Sequence, residues 1–214
     1  MRGTITPTYD NRISTISGML APMARLWLAQ DEAADELLDR DPLALLIGML
    51  LDQQIPLEKA FKGPQVLAER MGVDRLDAAA IAAHDPESFA KLFATVPAIH
   101  RFPGSMAERT QKLAHAIAGE YDGEAERVWT EAKDAKDLFK RLSGLPGFGK
   151  QKAQIFIALL GKQFDIQLKG WREVAGDYGK KGSLRSVADI VDQESLLKVR
   201  DFKKQMKAAA RSQQ

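Results

Sequence analysis

Residues 143–161 read "SGLPGFGKQKAQIFIALLG", and this stretch restricts the fold more than any other. Pro146 cannot continue a helix, because it lacks an N–H and its ring clashes with the preceding turn. Gly147 and Gly149 permit positive φ angles and a close approach that side chains would forbid. Beyond them, Ala153, Ile155, Phe156, Ile157, Ala158, Leu159 and Leu160 make a helix that must be packed against a core. The segment is therefore a tight corner between two helices, carried on a buried and rigid mount. Elsewhere helical signals dominate and strand signals are nearly absent, so the chain is expected to be all-α, with nine or ten helices.

The other elements follow from spacing and capping. Residues 26–38 repeat their apolar positions at helical spacing. "RDPLALLIGMLLDQQ" starts with Asp41 as N-cap and Pro42 at the first helical position, then runs into an apolar helix buried on most sides. Residues 57–71 read as an amphipathic helix weakened by Gly63-Pro64. Shorter helices are expected over 76–83 and 86–94, and further ones over 106–121, 135–142, 151–160 and 194–211. "FDIQLKG" reads as a loop or short extended piece, and "WREVAG" as a short turn of helix. Residues 1–22 lack periodicity and read as a flexible leader or, in part, an appended remnant. Residues 23–214 read as the helical domain.

Composition then removes whole classes of chemistry. The 214 residues contain no cysteine, which excludes a disulfide framework, a cysteine zinc site, an iron–sulfur cluster and a thiol nucleophile. The longest apolar run, "LALLIGMLL", is far short of the roughly 20 residues that cross a bilayer. No secretory signal is visible, so a soluble cytoplasmic protein is expected, without a membrane partner and as a monomer. His84, His100 and His115 are scattered, with no carboxylate pattern beside them that suggests a metal. The formal net charge is only +2, but the charges are segregated. Residues 140–185 contain Lys140, Arg141, Lys150, Lys152, Lys162, Lys169, Arg172, Lys180, Lys181 and Arg185 against Asp165, Glu173 and Asp177. Positive charge gathered in the C-terminal third fits a localised polyanion site.

The corner supplies a physical means of holding such a polyanion. Gly149 stands immediately before a helix whose first turn has free N–H groups and the positive end of the macrodipole. A phosphate can dock on the main chain at Gly147, Phe148, Gly149 and the following Gln151, with Lys150 and Lys152 adding charge beside it. Such a contact positions the protein without choosing a sequence.

"LPGFGKQKA" resembles the helix-hairpin-helix motif, and its setting is similar to that of the helix-hairpin-helix DNA glycosylase superfamily. A second stretch, "LLIGMLLDQQIPLEKA", resembles that superfamily's early helix and the glutamine-bearing turn after it. The resemblance covers roughly residues 40–175. It implies a two-lobed helical fold with a cleft, a hairpin at 143–152, and double-stranded, damaged DNA as partner. It implies that Gln54, and with less support Gln53, fills the gap left by an extruded nucleotide. It further implies a monovalent cation on the main-chain carbonyls of Ser143, Leu145 and Phe148, and no other cofactor. The nucleoid is then where the protein sits when bound.

The superfamily's catalytic positions are altered in this chain. Aligning "GWREV" with the family's short helix puts Lys169 where an aspartate is expected to stabilise positive charge on the sugar. The nucleophilic lysine of bifunctional members falls on Gln151, between Lys150 and Lys152. Asp165 and Lys169 remain as candidate catalytic groups, the first if the loop folds differently, the second if burial lowers its pKa. Trp171 and Arg172 could stack on an extruded base or hold a phosphate; equally, Trp171 packs in the core and Arg172 caps it. The leading expectation is a base-excision glycosylase, monofunctional if active. The alternative is a non-catalytic module that recognises distorted DNA.

Overall fold

The computed structural model describes residues 26–211, so the leader expected over 1–22 lies outside the described residues. Among the described residues eleven α-helices follow one another: α1 (Glu32–Arg40), α2 (Pro42–Leu51), α3 (Leu57–Met71), α4 (Ala78–Ala83), α5 (Pro86–Ala94), α6 (Pro103–Glu120), α7 (Arg127–Thr130), α8 (Ala135–Gly144), α9 (Lys150–Gln163), α10 (Trp171–Ala175) and α11 (Gln193–Arg211). Two 3-10 turns, Gly176–Gly179 and Val187–Asp189, lie between α10 and α11. There is no strand among the described residues, and the chain is all-α as expected.

The first helix starts later than its apolar spacing suggests. Asp31 caps it by accepting from the Ala34 N–H at 3.1 Å, and Leu26 to Gln30 are not helical. The buried Asp35 carboxylate draws this segment in, accepting from the N–H groups of Leu28 at 2.9 Å and Ala29 at 2.8 Å. Burial pushes the Asp35 carboxyl above its ordinary range, although those amides work against the rise. Local hydrogen bonding by one acid thus overrides a helical pattern.

The second helix follows the capping prediction. Asp41 Oδ1 accepts from Leu43 and Ala44 N–H at 3.0 and 3.1 Å, while its Oδ2 accepts from Leu76 N–H at 2.8 Å. One carboxylate therefore starts α2 and ties down the entry to α4. Leu43 to Leu51 are all buried, which makes α2 the central helix of the core. In α3, Gly63-Pro64 does not weaken the helix, which runs unbroken through both residues. A Cβ on Gly63 would come within 2.6 Å of Leu51 Cδ1, so the glycine is what lets α3 close on α2.

In the C-terminal half the chain wraps α9. Helices α8 and α10 and both 3-10 turns pack on it. The Trp171 ring covers Gly161, where a Cβ would lie 2.7 Å from Cε3. Lys162 pairs with the buried Asp189 at 2.5 Å, and Asp189 Oδ2 also accepts from Arg185 and Ser186 N–H. The short α7 was not visible as a periodic pattern. Its Trp129 is buried 5.8 Å, centroid to centroid, from Phe156 of α9.

Candidate nucleic-acid interface

The corner between α8 and α9 is closed by two main-chain bonds. Leu145 N–H donates to Leu142 O at 3.1 Å and Phe148 N–H to Leu145 O at 3.0 Å. Leu145 and Phe148 are buried, and the Phe148 ring meets Phe156 edge-on at 6.0 Å. Phe148 therefore anchors the corner; its amide and ring are both committed, which corrects its expected role as a DNA contact. Gly147 has φ 83° and presses on α2, since a Cβ there would lie 2.1 Å from Leu50 Cδ1. Gly149 has open space around its Cβ direction. No side chain caps α9. Among the described residues the N–H groups of Gly147, Gly149, Lys150 and Gln151 have no protein acceptor, and all four residues are exposed. They form the uncapped, positive head of a buried helix. The Gln151 side chain leans away, donating to Tyr178 Oη at 2.8 Å.

Lys152 does something different from Lys150. Its Nζ donates to Met49 O and Leu50 O, each at 2.6 Å. The last carbonyls of α2 are thus accounted for: Gly48 O accepts from Asp52 N–H and Leu51 O from Gln53 N–H, while Lys152 takes the two between. The ammonium also meets the negative end of the α2 dipole. Burial lowers the Lys152 pKa to about 8; the Asp52 charge opposes that fall and Arg109 adds to it. Lys152 is therefore a clasp between α9 and α2, which corrects its expected role as a flexible phosphate contact.

This clasp brings the two sequence motifs together. Beyond Leu51, Asp52 has φ −69° and ψ 72°, the centre of a tight turn closed by Gln53 N–H to Leu51 O at 2.7 Å. Gln54 follows with φ 58° and is exposed. Gln53 is held from three sides. Its Nε2 donates to Leu50 O at 2.8 Å, its Oε1 accepts from Arg109 at 3.2 Å, and its carbonyl meets His100 Nε2 at 2.9 Å. His100 is fully buried, and its Nδ1 accepts from Phe102 N–H at 3.1 Å, which places the proton on Nε2. Burial lowers the His100 pKa, so the ring is neutral in its post. Gln53 is thus a structural member of the turn, and Gln54 is the glutamine that faces outward. Arg101 and Phe102, next in the chain, are exposed, with the guanidinium 4.6 Å above the ring. The sequence signal for this pair was only the break at "RFPGS".

The loop after α9 lies away from the corner. Asp165 follows the C-cap of a 14-residue helix, about 20 Å along the axis from Gly149. It is exposed, and its Oδ1 accepts from Gln167 Nε2 at 2.9 Å. Lys169 is exposed too, and its carbonyl accepts from Ala135 N–H, at the end of α8 remote from the hairpin. The burial that would make its amine a nucleophile is absent. Trp171 is 6% exposed against Gly161. Arg172 lies 4.2 Å over its ring and donates to Gly179 O at 3.1 Å. The pair is a capped core tryptophan, which corrects the stacking role for both.

At the corner, Ser143 O and Phe148 O accept no main-chain bond among the described residues, and Leu145 O accepts only from Phe148 N–H. All three carbonyl oxygens therefore keep at least one lone pair free of main-chain donors. No group of His, Asp and Glu side chains among the described residues could hold a metal. No helix there is long and apolar enough to cross a membrane. Comparison with known proteins returned no matching family model, curated protein or solved structure.

Proposed function

We propose that the chain is a base-excision protein that binds damaged duplex DNA and releases the damaged base by hydrolysis, on a two-lobed, glycosylase-like fold. The observation that carries this reading is the row of free amides at Gly147, Gly149, Lys150 and Gln151, clasped through Lys152 to the turn that exposes Gln54. The amides take a backbone phosphate, and Gln54 enters the stack where a nucleotide has left it. α1 to α6 form one lobe and α8 to α11 the other, with the α2 end at the seam. A monovalent cation on the Ser143, Leu145 and Phe148 carbonyls would offset phosphate charge and stiffen the corner. A second reading, a non-catalytic module for distorted DNA, is favoured by Lys169 standing where the resemblance calls for a carboxylate.

Gly149→Glu tests the grip. The added Cβ meets nothing within 4 Å, so folding should be kept, while a carboxylate on it competes for the phosphate's place. Duplex affinity should fall at least about tenfold, with Gly149→Ala close to wild type. Equal affinity for wild type and Gly149→Glu would remove the reading. Base release across a panel of lesion-bearing duplexes then separates enzyme from module.

A further inference from the structure

Four groups of different chemistry meet where α2 ends. Lys152 Nζ is fixed on the Met49 and Leu50 carbonyls, and Arg109 is fixed on Gln53. His100 holds the Gln53 carbonyl. Asp52 is the half-buried residue at the centre of the tight turn, close enough to Lys152 for its charge to act on the ammonium. In the chain it lies two residues from Leu50, on which Gly147 packs, and two from the exposed Gln54. Two residues span at most about 7 Å, so Asp52 stands within that reach of the wedge Gln54 and of Leu50, the α2 residue against which Gly147 of the phosphate grip packs. Asp165, by contrast, lies about 20 Å down α9 from Gly149.

We propose, resting on the glycosylase reading above, that Asp52 is the catalytic carboxylate, facing the sugar of the extruded nucleotide in the gap between the hairpin and Gln54. A nucleotide held at its phosphate by the amides of Gly147, Gly149, Lys150 and Gln151, with its former place filled by Gln54, has its sugar between those two points. The glycosidic bond breaks with positive charge gathering on C1′ and the ring oxygen, and a fixed anion there lowers the barrier. In the step, the C1′–N bond breaks and its electron pair leaves with the base, which takes a proton from solvent. A water oxygen bonds to C1′ and gives one proton to the Asp52 carboxylate, which passes it to solvent. Lys152, tied to two carbonyls, keeps the turn that carries Asp52 from moving.

The test needs no knowledge of the lesion. Two abasic-site duplexes are compared, one with a neutral tetrahydrofuran ring and one with a cationic pyrrolidine ring that mimics the charge of the breaking sugar. Wild type should bind the pyrrolidine duplex at least about tenfold more tightly than the tetrahydrofuran duplex. In Asp52→Asn the ratio should fall to near one. Both affinities come from the same protein, so a general loss of folding cancels. In Asp165→Asn the wild-type ratio should persist. A ratio near one in wild type, a ratio unchanged in Asp52→Asn, or a ratio lost in Asp165→Asn instead, each overturns the assignment. If neither abasic duplex binds better than undamaged DNA, the glycosylase reading itself fails.

Discussion

A lysine at this interface carries a testable electrostatic penalty. Lys152 has its pKa lowered by burial from 10.5 to about 8. Between those values the unfolded chain binds the proton and the folded chain does not, so stability rises with pH across that window. Below pH 8 the penalty is present in full; above about 10.5 it is gone. The gap corresponds to about 3 kcal/mol. Denaturant unfolding at pH 7 and pH 10 should therefore show wild type gaining on Lys152→Met by up to that amount. A pH-independent difference would mean that the amine is not desolvated. Nothing in "GKQKA" distinguishes Lys152 from Lys150, because the difference lies in the carbonyls that α2 brings to one of them.

At the scale of elements, close approach is bought by glycine. Gly161 lets the Trp171 ring lie flat on α9, and α10 is held there further by Gln154 Nε2 donating to Val174 O at 3.1 Å. Gly161→Val should destabilise the fold by about 1–3 kcal/mol through overpacking, seen as a lower Tm. An unchanged Tm would show that Trp171 can move aside freely. The helices whose caps are written in sequence, such as α2 with Asp41 and α5 with Asp85, were legible. The start of α1 and the single-turn α7 were not. The first is decided by Asp35 reaching back to Leu28 and Ala29, the second by Trp129 packing on a helix far away in sequence.

For the whole molecule, the basic C-terminal third is less free than its composition suggests. Lys162 is paired with Asp189, Lys180 and Arg185 with Asp177, and Arg141 with Asp137 and Glu131. Arg200 of α11 reaches Glu58 of α3, linking the last helix to the N-terminal half of the described chain. Lys140, Lys150, Lys169 and Lys181 are exposed and make no ion pair among the described residues. Lys150 stands at the helix head, so Lys150→Ala should lower the slope of log affinity against log salt by about one. Lys162→Ala should leave that slope alone while lowering stability. A slope indifferent to Lys150 would place the DNA elsewhere.

By itself the sequence determined an all-helical chain, the caps of its strongest helices, and a glycine corner on an apolar mount. These depend on neighbours a few residues apart. What only the tertiary structure decided is which polar groups have somewhere to go. It spends Lys152 on α2, buries Trp171 under Arg172, leaves Asp165 and Lys169 at the far end of α9, and brings the Asp52 charge to bear on Lys152. The physical reason is that a hydrogen bond or a desolvation is settled by the groups that folding brings together from distant parts of the chain, and no local pattern records them.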